Sequence, residues 1–183
     1  MSYNSTILRK KRKLDCGCYD YAFSKNRCKQ CATIQSTNKR IEKHEEGIED
    51  ESRQNLIQDL DTFFSRYIRI KYADVKGIVS CYTCGTKSRW KEIQNGHYIS
   101  RKNLATRWLD EDCRPQCEVC NCHKHGNLEV FKANLEKEHK GITSYLEEQA
   151  RQVYKPTLDE LKQLLIEIKF KLKTVQAKLK QKK

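Results

Sequence analysis

Apolar residues recur at intervals of three and four in two long stretches of this chain. The first stretch, within residues 52–72, contains Leu56, Ile57, Leu60, Phe63, Phe64, Tyr67 and Ile68. The second stretch, after Pro156, contains Leu161, Leu165, Ile168, Leu172, Val175 and Leu179. This spacing places the apolar side chains on one face of an α-helix. We therefore predict two amphipathic helices, the first capped by Ser52 and the second opened by a Thr157–Glu160 capping box.

The apolar residues of the C-terminal helix step alternately by four and three, which is the spacing of a heptad seam. Such a seam can pack against the helix predicted at residues 52–72. It can equally pair with a second copy of the chain, so a homodimer is a possible assembly.

Short segments with strand character lie between these two helices. Residues 77–81 predict one strand, and residues 97–99 predict another after an Asn95-Gly96 turn. Asn121 begins a helical segment, whereas residues 33–51 form a polar connector that is helical or flexible. The pattern predicts an α+β protein in which helices flank a small sheet.

Ten cysteines, more than packing requires, fall into two clusters. The clusters are Cys16, Cys18, Cys28 and Cys31, then Cys81, Cys84, Cys113, Cys117, Cys120 and Cys122. The sequence starts without an apolar signal core and has no run of about 18 apolar residues, so we expect a soluble protein of a reducing compartment. In that setting, short paired spacings indicate metal binding more often than disulfides.

Two Cys-x-x-Cys pairs can close a tetrahedral zinc site. The thiols of Cys81, Cys84, Cys117 and Cys120 complete such a site and leave no open position for substrate, so this zinc is structural. The first cluster can form a second zinc site with four thiolate ligands, or it is a redox-sensitive or reduced loop. We expect Cys113 and Cys122 to be thiols that bind no zinc, or members of a second, partial metal site.

The formal net charge is +13, and the basic residues concentrate at the two ends. Residues 9–13 are all basic, and residues 169–183 contain seven lysines and no acid. These ends are either solvated tails or contacts to a polyanion. Basic tails beside metal-binding cysteine pairs favour nucleic acid as the partner, and nothing in the pattern indicates a membrane.

His97 is the only histidine between the two Cys-x-x-Cys pairs of the second cluster. Asn121 directly follows Cys120, the last candidate zinc ligand of that cluster. A neutral imidazole can take a proton from water. A divalent ion such as Mg²⁺ or Mn²⁺ beside it can bind a phosphodiester oxygen and stabilise the developing charge. We therefore take His97 as a candidate base and Asn121 as a candidate oxygen ligand.

The order Cys-x-x-Cys, lone His, Cys-x-x-Cys-Asn resembles the HNH or ββα-metal nucleases in their zinc-stapled form, such as the phage endonuclease VII proteins. A longer ordered set resembles the phage NinG (Rap) recombination proteins over roughly residues 10–150. This set comprises Phe64-Ser-Arg66-Tyr67-Ile68-Arg69-Ile70, Cys81-x-x-Cys84-Gly85, Gly96-His97-Tyr98, Arg107-Trp108, Gln116-Cys117-x-x-Cys120-Asn121, Gly126-Asn127 and Leu135.

This resemblance implies a metal-dependent, structure-selective DNA endonuclease. Its substrates would be branched recombination intermediates such as D-loops and Holliday junctions, in the cytoplasm of a bacterial host. It implies a small ββα-metal core stapled by zinc, with His97 as general base and Asn121 as a ligand of Mg²⁺ or Mn²⁺. The alternatives are a zinc-ribbon nucleic-acid-binding protein without catalysis and a recombination adaptor.

The chain departs from the common nuclease pattern at Gly96, where many relatives carry an acidic metal ligand. Asp112 falls where the middle Asn of the motif is expected, so it either orients the His97 ring or supplies the missing ligand. His125, four residues after Asn121 on the predicted helix, is a further candidate ligand. The residues expected to contact DNA phosphates are Arg66, Arg69, Arg101, Lys102, Arg107, His123 and Lys124.

These observations predict five segments along the chain. They are a disordered basic arm (1–13), an N-terminal zinc knuckle (14–35), a connector with the amphipathic helix (36–75), an HNH-like nuclease domain (76–142), and C-terminal helices with a basic tail (143–183).

Overall fold

The computed structural model describes residues 12–20, 22 and 25–181. Its contacts divide the chain into two compact units, Met1–Glu51 and Ser52–Lys183. The division into five segments is finer than this, and it stays a prediction. Residues 1–11 of the predicted basic arm, and the last two lysines of the tail, lie outside the described residues.

A two-stranded hairpin precedes a long helix in the first unit. Strand β1 (Arg12–Lys13) pairs antiparallel with strand β2 (Tyr19–Asp20). Helix α1 then runs over Lys29–Lys71. The prediction of a disordered arm is wrong for residues 12 and 13, because their backbones pair with β2.

The prediction that a helix begins at Ser52 is also wrong, since α1 starts 23 residues earlier, at Lys29. Gly47 is its only glycine and it contains no proline. One glycine costs a helix only about 1 kcal/mol, which does not end it. The residues of α1 before Ser52 bury little surface. Their apolar residues Ile34, Ile41 and Ile48 recur only once in seven, so the pattern detects only the half that has a buried face.

The main core of the second unit forms where α1 meets helix α4 (Leu158–Gln181). Its fully buried members include Leu60, Phe64, Ile68, Leu161 and Ile168. The heptad seam of α4 therefore packs inside the chain, which is one of the two predicted alternatives.

The capping box predicted at the start of α4 is confirmed. The Thr157 amide donates to Glu160 Oε2 at 2.7 Å, and the Glu160 amide donates to Thr157 Oγ1 at 3.2 Å. Two amide groups that the first turn leaves without helical partners are satisfied in this way.

Two more antiparallel hairpins follow α1. Strand β3 (Ile78–Ser80) pairs with β4 (Lys87–Arg89), and β5 (Gln94–His97) pairs with β6 (Cys113–Gln116). Gly96 lies opposite Arg114 in the second pair. The predicted Asn95-Gly96 turn is wrong, because β6 supplies ladder partners for both residues and this pairing overrides the local preference for a turn.

Short helices complete the second unit. A single π-helical turn, Val119–His123, follows β6, and helices α2 (Leu128–Glu138) and α3 (Ile142–Arg151) come next. Phe131, Leu135 and Leu146 form a separate small core between α2 and α3. Small two-stranded sheets, a long C-terminal helix and two cysteine clusters confirm the predicted α+β class. Among the described residues, no helix combines the length and apolarity needed to cross a membrane.

Candidate metal centres and hydrolytic cleft

The four thiols of the two Cys-x-x-Cys pairs in the second cluster lie close together around one point. Sulfurs of Cys81, Cys84, Cys117 and Cys120 all lie within 4.8 Å of one another. The Cys84–Cys117 separation is 3.7 Å, and four sulfurs at the usual Zn–S distance of about 2.3 Å would be about 3.8 Å apart in a tetrahedron. This cluster can therefore hold a zinc ion with no coordination position left open.

Local hydrogen bonds favour the thiolate that zinc requires. Burial opposes ionisation of Cys81, but the Cys117 amide and the Thr83 hydroxyl donate towards its sulfur, and the pKa falls to about 6. Because the thiolate is the metal-binding form, Cys81 is prepared to bind zinc near neutral pH, whereas burial raises the pKa of Cys117 to about 12 in the absence of the ion.

The first cluster has the same geometry in the other unit. Cys16, Cys18, Cys28 and Cys31 offer sulfurs within 4.8 Å of one another, and the Cys18–Cys31 distance is 3.8 Å. All ten cysteines are free thiols. Two structural zinc ions can therefore be accommodated, one in each unit.

His97 ends strand β5 and is half-buried. Its Nε2 lies 3.1 Å from the Arg107 carbonyl oxygen. Because a carbonyl can only accept, the proton of the neutral ring belongs on Nε2, which leaves the lone pair of Nδ1 free. Burial lowers the pKa of His97 below its usual 6.5, although the Arg107 carbonyl opposes the shift. The imidazole is therefore neutral at pH 7 and able to accept a proton.

The Arg107 carbonyl is itself held in place by Asp61 on α1. Asp61 accepts from Arg107 Nε at 2.8 Å and from Arg107 Nη2 at 2.5 Å. It also accepts from the Trp108 indole nitrogen at 3.0 Å. A bidentate Arg–carboxylate pair fixes geometry better than a single contact does, so Asp61 is a positioning residue for His97. The sequence pattern did not find it, because it is one polar residue among several on a predicted helix.

A cleft of about 460 Å³ opens beside His97. Asn121, His125 and Arg101 line it together with His97. The structure thus brings the candidate base, the candidate metal ligand and a cation to one surface. Two of the three sequence-predicted catalytic residues, His97 and Asn121, therefore meet in this cleft.

Gln94 sets the orientation of the Asn121 amide. Asn121 Nδ2 donates to Gln94 Oε1 at 2.6 Å, and the Cys122 thiol donates to the same oxygen at 3.3 Å. With its nitrogen engaged, Asn121 offers Oδ1 to a cation. Sequence reasoning missed Gln94, whose role becomes visible only from the position of its side chain in β5. Cys122, predicted to be spare, is exposed at the edge of this cleft.

Asp112 is buried behind His97 rather than lining the cleft. Its Oδ1 accepts from the Ile99 amide at 2.6 Å, whereas Oδ2 has no hydrogen-bond partner among the described residues. An oxygen of Asp112 lies within 4.8 Å of a His97 ring nitrogen and of the Cys113 sulfur. Burial raises the pKa of Asp112 to about 8, so the carboxyl is neutral at pH 7 when no cation is near.

Gly96 cannot be exchanged for a carboxylate in this backbone. A Cβ at this position would overlap Gln116 Oε1 and would lie 2.7 Å from its Cδ. Gln116 is fully buried, and its Nε2 donates to the Gly126 carbonyl at 2.7 Å and to Thr83 Oγ1 at 3.2 Å. The missing acid before His97 is therefore a consequence of packing.

His125 reaches the cleft by a different route from the one predicted. The π-helical turn ends at His123, and His125 adopts a left-handed conformation with φ 47°. The prediction that it shares a helical face with Asn121 is wrong, because the helix breaks between them, yet both residues line the cleft.

The donor set of the cleft suits a hard divalent ion that keeps several waters. It offers an amide oxygen from Asn121, with the His125 imidazole beside it and the Asp112 carboxyl behind. Oxygen ligands suit Mg²⁺ and Mn²⁺, so Asn121 would hold such an ion together with water and phosphate oxygens, whereas imidazole is a less typical ligand for these two ions.

The residues predicted to contact DNA have unequal surroundings. Arg69 Nη1 faces the carbonyl oxygens of Trp90, Lys91 and Ile93 at 3.3–3.4 Å. Arg107 is paired with Asp61. Both therefore have intramolecular roles, and their contact with DNA stays a prediction. The other five predicted DNA contacts have exposed side chains. They are Arg66, Arg101, Lys102, His123 and Lys124.

Comparison with known proteins identifies a family. Neither the curated proteins nor the solved structures contain a match to this chain. A family model described as the bacteriophage lambda NinG protein matches residues 5–178. This range includes both cysteine clusters and the whole cleft, and the chain therefore belongs to the bacteriophage lambda NinG family.

Proposed function

We propose that this protein is a metal-dependent DNA endonuclease that hydrolyses phosphodiester bonds in branched recombination intermediates such as D-loops and Holliday junctions. Membership of the NinG family suggests a role related to phage recombination. The observation that carries the catalytic part of the proposal is the cleft, where a neutral, oriented His97 faces Asn121 and Arg101.

The roles of the residues follow from their atoms. His97 Nδ1 takes a proton from water, and the water oxygen then attacks the phosphorus and displaces the sugar oxygen. The Arg107 carbonyl and Asp61 hold the ring while its charge changes. Arg101 lies where it can offset the charge of the scissile phosphate. A divalent ion held by Asn121, with His125 alongside, would bind a phosphate oxygen and stabilise the charge that develops in the transition state.

A cleavage assay with a labelled four-way junction and a linear duplex of the same sequence tests this proposal. Cleavage should require added Mg²⁺ or Mn²⁺ and should favour the junction. Omitting the divalent ion is a better negative control than a chelator, because a chelator can also remove zinc.

The variant His97→Ala should lose at least about a hundredfold in cleavage rate, which is the usual contribution of a general base. His139→Ala is the matched control, because His139 is exposed, does not line the cleft and is not among the predicted DNA contacts. The rate of the wild type should fall as the pH drops through the lowered pKa of His97.

Equal cleavage by the two histidine variants would exclude His97 as the base. Tight junction binding without any metal-dependent cleavage would instead favour the alternative of a non-catalytic nucleic-acid-binding protein or adaptor.

A further inference from the structure

A second groove lies in the first unit, beside the N-terminal cysteine cluster. Its volume is about 430 Å³. One wall is the face of α1 that carries Cys31, Ile34, Gln35, Asn38, Lys39 and Glu42. Cys16 and Arg27, from the segment before α1, complete the lining. The residues of α1 recur at intervals of three and four, so they share one face of the helix.

The lining of this groove has the chemistry of a nucleic-acid contact. Within the described part of the chain, the side chains of Arg27, Gln35 and Lys39 make no hydrogen bond or ion pair to another residue. Ile34 is 52% exposed, and it offers an aliphatic surface to a sugar or a base. Cations supply phosphate contacts, and amides hydrogen-bond to phosphate, sugar or base edges.

The charge of the surrounding sequence also favours a polyanion. Residues 12–41 contain seven lysines and arginines against two aspartates. One of those aspartates, Asp15, accepts a hydrogen bond from Asn26 at 2.8 Å. Glu42 is the single acid in the groove lining.

We propose that this groove binds the phosphodiester backbone of DNA, with Arg27 and Lys39 on phosphates and the Gln35 and Asn38 amides on adjacent polar groups. It is a binding site additional to the hydrolytic cleft. The choice of DNA as ligand rests on the proposed function, but the groove would bind whether or not the chain cleaves. Its contribution therefore appears in affinity and not in the rate of the chemical step.

The test is the affinity of the full-length protein for a fluorescent four-way junction, measured by anisotropy without added divalent ions. Lys39→Glu should weaken binding by about tenfold and reduce the salt slope of the affinity by about 1. Arg40→Glu is the matched control and should stay within about twofold. It makes the same charge change at the next residue, which lies about two and a half turns from Cys31 and so on the far side of α1.

Glu42→Gln removes the one repulsive charge and should tighten binding. Zinc content and far-UV circular dichroism establish that each variant is folded. If the protein cleaves, Lys39→Glu should raise the KM and leave kcat unchanged. Equal loss of affinity in Lys39→Glu and Arg40→Glu would overturn the groove proposal, and so would unchanged affinity in both. Neither result would affect the proposed cleavage by His97, which has its own assay.

Discussion

The side chain of Gln116 occupies the space that any residue larger than glycine would need at position 96. The Cβ of an alanine there would lie 2.7 Å from Gln116 Cδ and 2.8 Å from its Cγ. Gln116 cannot move away without breaking its hydrogen bonds to Gly126 and Thr83. Glycine is required at this position by the close approach of a side chain, since Gly96 is not among the glycines with positive φ.

Gly96→Ala should therefore reduce the free energy of unfolding by about 1–3 kcal/mol, the usual cost of overpacking. Urea denaturation measures this loss. Gly47→Ala is the control, because Gly47 lies in a helix with open space around it and should gain about 0.5–1 kcal/mol. A Gly96→Ala variant as stable as the wild type would contradict the contact with Gln116.

Asp112 should make the stability of the protein depend on pH. Burial raises its pKa from 3.8 to about 8, so the native state holds this proton more tightly than the unfolded chain does. The stabilisation is complete below pH 3.8 and is lost as the pH rises towards 8. Asp112→Asn, which stays neutral, should gain stability relative to the wild type from about pH 5 to 8, by at most about 1.4 kcal/mol per pH unit.

Urea denaturation at several pH values, without added divalent ions, checks this prediction. Asp110→Asn provides a control of opposite sign. Burial of Asp110 is outweighed by the hydrogen bonds from Lys71 and Tyr67, which lower its pKa. Its contribution is therefore present at neutral pH and lost in acid. If the free energy of unfolding changed with pH in the same way in Asp112→Asn and in the wild type, a raised pKa of Asp112 would be excluded.

At the residue scale, the sequence predicted which side chains lie close together when their spacing along the chain determines this. The eight zinc-candidate cysteines converge as their spacing predicts, and His97, Asn121 and His125 share a cleft. The sequence did not predict the structural roles of Asp61, Gln94 and Gln116. Each acts through one specific side-chain contact between distant parts of the chain, and a polar residue with such a role has no periodicity to mark it.

At the scale of elements, the seam of α4 provides the main packing surface of the second unit. Ile168 is 2% exposed and Ile166 is 61% exposed on the same helix. Ile168→Ala should cost about 2–5 kcal/mol, because it removes buried methyl groups and leaves a cavity. Ile166→Ala should stay within about 0.5 kcal/mol.

Thermal or urea unfolding measures the loss of stability in each of the two variants. The same chemical change is made on one helix, so helix propensity affects both equally. If Ile166→Ala proved as costly as Ile168→Ala, the outer face of α4, which is opposite the seam, would have to be covered in solution.

Element boundaries were predictable where burial or capping fixes them, and unpredictable elsewhere. The Thr157–Glu160 box located the start of α4. The start of α1 was placed too late because its first half buries no apolar face. The strand β5 was missed at Asn95-Gly96 because pairing with the distant β6 decides its conformation.

At the scale of the whole molecule, two small units each rely on a cysteine cluster to supplement burial. The purified protein should contain two tightly bound zinc ions per chain, one for each set of four thiols. Cys28→Ser and Cys120→Ser should each lose one zinc, because three ligands leave the tetrahedron incomplete.

Elemental analysis of the purified variants counts the ions. Cys122→Ser is the control, because Cys122 belongs to neither set of four, and it should retain both. Fewer than one zinc per chain in the wild type would refute both sites. Removal of zinc should also lower the melting temperature, since metal binding and folding are coupled in small sites of this kind.

The contact between Gly96 and Gln116 has a consequence for the evolution of the family. A single substitution that introduces an acid before His97 creates a clash with Gln116, whereas shortening Gln116 first leaves the Gly126 carbonyl and the Thr83 hydroxyl without their donor. Both single-step variants should therefore be less stable than the present pair. Family members that carry a carboxylate at this position should have changed the Gln116 position as well, so the two sites should covary across the lineage.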